Sequence, residues 1–161
     1  MPLIYLYALF CAMLMSGCTI KPTTRADVKV TITADSDINK NTQGYPSPVQ
    51  LFIYVVSNRD NFSAENPLLL VASPQATTST DYKRIADIII QPGEKKSLSL
   101  PLQPGTNTFA YVVAYREMKA NQWLLLRDIN NSPRFIWQKP FTSPPAEQQI
   151  RLRDSSVAFA E

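Results

Sequence analysis

Leu14-Met15-Ser16-Gly17-Cys18 is the stretch of this chain with the most definite chemistry. A bacterial lipoprotein signal ends in small residues followed by one obligatory cysteine. The cysteine sulfur accepts a diacylglycerol, and the small pair fits the narrow cleft of the peptidase that then cuts before it. Ser16-Gly17-Cys18 meets that requirement, with Met15 standing where Leu is usual. Leu3 to Leu14 supplies the apolar segment, free of charge, Pro and Gly, and too short to cross a bilayer as a mature helix. The amino terminus itself is the only positive charge ahead of it, where Lys or Arg is normal.

The expected organisation is therefore a lipoprotein signal peptide over residues 1–17, a lipidated tether over 18–26 and a folded domain over 27–161. Acyl chains on Cys18 would hold the protein at a membrane, since two chains already give stable anchoring. Thr19 follows the cysteine, where Asp often marks retention in the inner membrane, so the outer membrane is expected. Thr19 to Ala26 is polar and, fully extended, reaches roughly 25–30 Å.

Little other chemistry is available. Removing 17 of the 161 residues leaves 144, enough for one domain and too few for two. With Cys11 in the signal and Cys18 acylated, the mature domain has neither a free thiol nor an internal disulfide. The absence of histidine excludes Ser-His-Asp and Cys-His catalysis and removes a favoured zinc ligand. The carboxylates Asp81, Asp87 and Glu117 show no spacing of a working acid–base pair. Asp35, Asp37 and Asn39 imitate the start of a calcium loop, but Lys40 occupies the position of the turn glycine and Pro46 that of the bidentate Glu. A net charge of +3, with basic residues only in small groups such as Lys83-Arg84, Lys95-Lys96 and Arg151/Arg153, does not suggest nucleic acid. No cofactor is expected, and no small-molecule substrate.

The elements that must carry any function are strands. Thirteen prolines against four glycines suit a β protein with rigid connections. Asp27 to Ala34 alternates as a half-buried strand, and Val49 to Val56 is apolar on both faces, as a central strand is. Ser57 to Glu65 reads as a short helix with Ser57 and Asp60 as capping candidates, ended by Pro67. Leu68 to Ala72 is apolar and of undecided type. Ile85–Gln91, Lys95–Leu102, Thr108–Arg116, Trp123–Arg127, Arg134–Gln138 and Gln148–Arg153 complete the strands, with Pro92-Gly93 and Pro104-Gly105 as turns. About eight short strands with one short helix predict an all-β, two-sheet β-sandwich.

In this order and spacing the residues resemble the TssJ family, the outer-membrane lipoproteins of type VI secretion. The resemblance runs from the Cys18 motif to about Leu126. It is carried by Gly44-Tyr45-Pro46-Ser47-Pro48, by Val49-Gln50-Leu51-Phe52-Ile53-Tyr54, and by Phe62-Ser63 in the helix. Gln91-Pro92-Gly93-Glu94, then Val112-Val113-Ala114-Tyr115-Arg116 and Trp123, continue it, whereas Asn130 to Glu161 has no close counterpart. The resemblance implies a transthyretin-like sandwich with no enzymatic activity, anchored on the periplasmic face of the outer membrane. Its implied partner is the periplasmic C-terminal part of TssM, an inner-membrane protein, with TssL reached indirectly. In the family the loop between the first two strands makes the contact.

The matching loop offers Asp35, Asp37, Ile38, Asn39, Lys40, Asn41, Gln43 and Tyr45. It is long for a hairpin, and Ile38 and Tyr45, its only large apolar residues, would form an anchor inside a polar rim. The competing possibility is that both tuck back onto the sandwich edge. Lys119 to Gln122 could lie near the same end. A second reading is a lipid-anchored module for a small ligand or glycan, with Trp123, Trp137 and Tyr111 lining a concave site.

Overall fold

The computed structural model describes residues 27–72, 79–102, 108–118, 122–129 and 147–160. The proposed signal, tether and Cys18 lie outside these residues, as do Trp137 and the expected strand Arg134–Gln138. Among the described residues, eight strands form two four-stranded sheets. They are β1 (Val28–Ala34), β2 (Val49–Val56), β3 (Tyr82–Ile90), β4 (Lys95–Leu100), β5 (Thr108–Ala114), β6 (Leu124–Asp128), β7 (Glu147–Leu152) and β8 (Val157–Phe159). One sheet has the order β4-β1-β7-β8 and the other β3-β2-β5-β6. The expected two-sheet all-β architecture is the one found.

Alternation decides which side chains meet between the sheets. Val28, Val30 and Ile32 of β1 and Ile150 and Leu152 of β7 are buried from one sheet, and Leu51, Ile53, Phe109, Tyr111 and Val113 from the other. Tyr111 donates a hydrogen bond across the core to Gln148 Oε1 of β7, 2.6 Å away. Burial drives its phenol pKa well above the ordinary value. β1 and β7 are parallel, with Ile32 opposite Ile150, and every other strand pair is antiparallel. This long-range pairing brings both extremes of the domain into one sheet.

β2 is buried on its second face as well, and the cover consists of two short helices, α1 (Arg59–Ser63) and α2 (Pro67–Ala72). The sequence predicts only the first. Asn58, rather than Ser57 or Asp60, caps it, its side chain accepting from Asn61 N at 3.2 Å. The undecided run beginning at Leu68 is the body of α2. β3 starts three residues earlier than its alternation indicates, because its register against β2 shifts between Ile53 and Tyr54 and blurs the period of two. β8 is only three residues long and leaves no periodic trace.

Chain direction gives the sandwich two distinct ends. The four-residue connection Gln91–Glu94 crosses between the sheets and joins the end of β3 to the start of β4. Since Val49 pairs with Ile90 and Thr33 with Lys95, the end of β1 and the start of β2 share that end. The β5–β6 and β7–β8 connections open there too. The start of β1 lies at the opposite end, about 23 Å away along a seven-residue strand.

Candidate functional site

The β1–β2 loop, residues 35–48, is built from its base upward by hydrogen bonds to neighbouring connections. Asp35 N donates to Leu152 O (2.9 Å), and Gly93 N donates to Asp35 O (3.0 Å). The Asp35 carboxylate accepts from Arg151 Nε at 2.8 Å. Asp35 is thus tied to β7 and to the β3–β4 turn, where Gly93 supplies a positive φ of 75°.

Ile38 and Asn39 form the buried middle of the loop. Ile38 is fully buried in the hydrophobic core, so it is an internal peg and not the surface anchor its sequence context suggests. Transfer of its side chain out of water outweighs display to solvent once the loop folds against the sandwich end. Asn39 adopts φ 48°, a left-handed conformation that asparagine tolerates better than most residues. Both ends of its side chain are used: Nδ2 donates to Pro48 O at 2.7 Å, and Oδ1 accepts from Arg116 N at 2.8 Å. Its backbone N donates to Asp154 O at 2.8 Å, while Ser47 N donates to Ile38 O at 3.1 Å. One residue therefore joins the loop to itself, to the β5–β6 connection and to the β7–β8 turn.

The tip is closed by Asn41. Its Oδ1 accepts from Gln43 N (3.0 Å) and Tyr45 N (2.9 Å), and its backbone N donates to Tyr45 O (2.9 Å). Gly44, at φ 83°, donates to Asn41 O at 2.9 Å and completes the turn. Gln43, Tyr45 and Pro46 are consequently exposed on a self-bonded turn, with Tyr45 66% accessible. On the flank, Lys40 Nζ lies 3.0 Å from Asp37 Oδ2 at the surface. Lys40's hydrogen bond and charge hold the Asp37 carboxyl below its ordinary range, and Asp37 raises the Lys40 pKa in return.

The eight predicted loop residues therefore divide by role. Asp35, Ile38, Asn39 and Asn41 shape the loop, while Asp37, Lys40, Gln43 and Tyr45 are exposed on its surface. The β5–β6 connection does open at this end, through Arg116 N on Asn39 and through Gln122 O, which accepts from Val157 N at 2.9 Å. Lys119 to Asn121 fall outside the described residues.

Other candidates are dispersed. Tyr111 and Trp123 are core side chains, so neither lines an exposed site. Asp81 accepts from Asn61 Nδ2 (2.8 Å) at the helical end, Asp87 accepts from Gln50 Nε2 (2.7 Å) on an outer face, and Glu117 lies beyond β5 at the loop end. Among the described residues no group of three or more His, Cys, Asp or Glu side chains is placed to hold a metal ion.

Residues 26–154 match the type VI secretion lipoprotein family T6SS-SciN, described by the names VasD, EvfM and TssJ. The chain belongs to this family. No curated protein matches it in sequence. Solved structures share its fold. The T6SS lipoprotein TssJ1 from Pseudomonas aeruginosa is 18% identical, with a TM-score of 0.69 over 84% of this chain and 95% of that one. Serratia marcescens Lip, a membrane-bound component of the type VI secretion system, is 12% identical, with a TM-score of 0.72 over 84% and 98%. A chain of the structure described as the TssM C-terminal domain from EAEC gives a TM-score of 0.64 at 17% identity, over 84% and 98%.

Proposed function

We propose that this lipoprotein is an outer-membrane-anchored subunit of the type VI trans-envelope complex, held through acyl chains on Cys18 on the periplasmic face. The β1–β2 loop grips the periplasmic C-terminal part of TssM, and TssL is reached through TssM. The protein transforms no substrate, carries no cofactor beyond its covalent lipid, and works as a tether.

The observation that carries this reading is the polarity of the domain. The tether precedes the start of β1 in sequence and the partner loop follows its end, so the loop lies a strand's length from the point where the described domain begins. A pre-formed turn presenting Tyr45 suits the grip. An aromatic side chain gives much contact area for little ordering, and a turn already closed on Asn41 loses little freedom on binding.

The test is a pull-down with the periplasmic part of TssM. Tyr45→Ala should weaken capture at least about tenfold, the effect of losing one interface anchor worth roughly 1.4 kcal/mol. A Tyr45→Ala chain that binds like wild type would remove the tip from the interface. Cys18→Ser should release the protein from membranes and abolish secretion, and continued secretion by a fully soluble product would end the tethering mechanism.

A further inference from the structure

Four large apolar side chains are exposed among the described residues. Tyr45 and Ile89 belong to the loop end, for Ile89 sits opposite Gln50 near the start of β2. The other two are adjacent on α2: Leu68 is 65% accessible and Leu69 53%. The proposed function gives this second pair no role.

Their exposure is enforced by the packing beneath them. Leu70 is fully buried, and its carbonyl accepts from Tyr54 Oη at 2.7 Å and from Arg84 Nη2 at 2.6 Å. These bonds satisfy an acceptor near the end of a short helix and prevent α2 from rolling to hide its neighbours. Tyr54 lies near the end of β2 and Arg84 near the start of β3, so α2 covers the half of its sheet toward the end where β1 starts.

We propose that α2 is a second membrane contact, with Leu68 and Leu69 lying in the interface of the bilayer that holds the acyl chains. This rests on the reading of Cys18 as the lipid anchor. Only eight residues, Thr19 to Ala26, separate Cys18 from Asp27, the first described residue. They span at most roughly 25–30 Å. Sheets of a sandwich lie about 10 Å apart. The tether can therefore run sideways across this end and let the domain settle on α2. Membrane affinity then comes from apolar side chains entering the headgroup boundary, as for an interfacial helix. Contact at a second point would fix the tilt of the domain and so aim the β1–β2 loop.

The acylated full chain in liposomes provides the test. In the mature chain Cys18 is the only cysteine and its thiol is acylated, so Leu69→Cys can be labelled alone with an environment-sensitive fluorophore. A Thr42→Cys label at the loop tip serves as the control. The expected result is a blue shift at position 69 and quenching by spin labels carried on the lipid chains, with neither at position 42. A position-69 label that stays water-like on an anchored protein overturns the proposal and leaves the anchor intact. Shielding that appears only when the periplasmic part of TssM is added, without quenching from the lipid, overturns it in favour of a protein contact. A chain that remains soluble beside the liposomes removes the anchor and the proposal together.

Discussion

The two ends of the sandwich are built with different chemistry. At the loop end, directional bonds fix the shape: Asp35 and Asn39 each join separate connections, and Tyr115 donates to Ser156 O at 2.7 Å. At the helical end, burial does most of the holding. Tyr54, Phe62 and Tyr82 form a three-ring cluster with centroids 5.0 to 5.9 Å apart, and the Arg84 guanidinium lies 4.3 Å from the centre of the Phe52 ring. Hydrogen bonds specify position sharply, whereas apolar contact supplies stability with looser geometry. The exposed loop is held almost wholly by the first kind, whereas the cover over β2 relies mainly on the second, with the bonds to Leu70 O fixing how α2 faces.

The sharpest way to break this contrast is to empty each end in turn. Phe62→Ala removes a fully buried ring between two tyrosines and should cost about 3–5 kcal/mol. Denaturant unfolding would give the loss, and hydrogen exchange should show it first in α1 and α2. If loop-end amides lost protection equally, the ends would be one cooperative unit and the contrast would fail.

Asn39→Ala should cost less, about 2–3 kcal/mol, by leaving Pro48 O and Arg116 N unpaired and by putting a residue that tolerates the left-handed region less well than asparagine at φ 48°. Its effect on capture of TssM should exceed what the lost stability explains, because the tip would no longer be held in place. Binding measured well below the unfolding midpoint separates the two. Unchanged affinity there would show that the tip orders itself through Asn41 alone.

These residues also mark how far the sequence can be read. Strands β1, β2 and β4 to β7, the two-sheet architecture and the long β1–β2 loop were legible, because alternation and turn residues report burial directly. Ile38 was not, since one apolar residue in a polar loop looks the same whether it points out or in. Nor was the role of Arg84, noted only as one of a small basic pair with Lys83, although its planar guanidinium lies over Phe52 and bonds to Tyr54. α2 escaped because PLLLVA has no polar face to reveal a helical period. In each case the deciding partner is distant in sequence, and no local pattern encodes it.

The smallest expected effects come from two buried phenols, one at each end. Tyr54→Phe removes a donor to Leu70 O, and Tyr115→Phe one to Ser156 O. Each acceptor keeps a second donor, Arg84 Nη2 in one case and Arg153 N in the other. Tyr115→Phe should therefore cost only about 1 kcal/mol at neutral pH, and Tyr54→Phe about 1.5 kcal/mol, because Tyr54 Oη also accepts from Arg84 Nε and Nη2. They should differ further in alkali. Burial raises both phenol pKa values above the ordinary value of 10.0, so the stability each contributes is complete below that pH and lost as pH rises through the folded value. At Tyr115 the nearby Asp154 and Asp35 push the same way as burial, whereas at Tyr54 the Arg84 charge opposes it. The shift, and hence the alkaline penalty, is larger at Tyr115. Unfolding curves recorded from pH 8 to about 11 should thus flatten more in Tyr115→Phe than in Tyr54→Phe. An equal change in both would mean that desolvation alone sets these phenols, and that the charges distinguishing the two ends do not reach them.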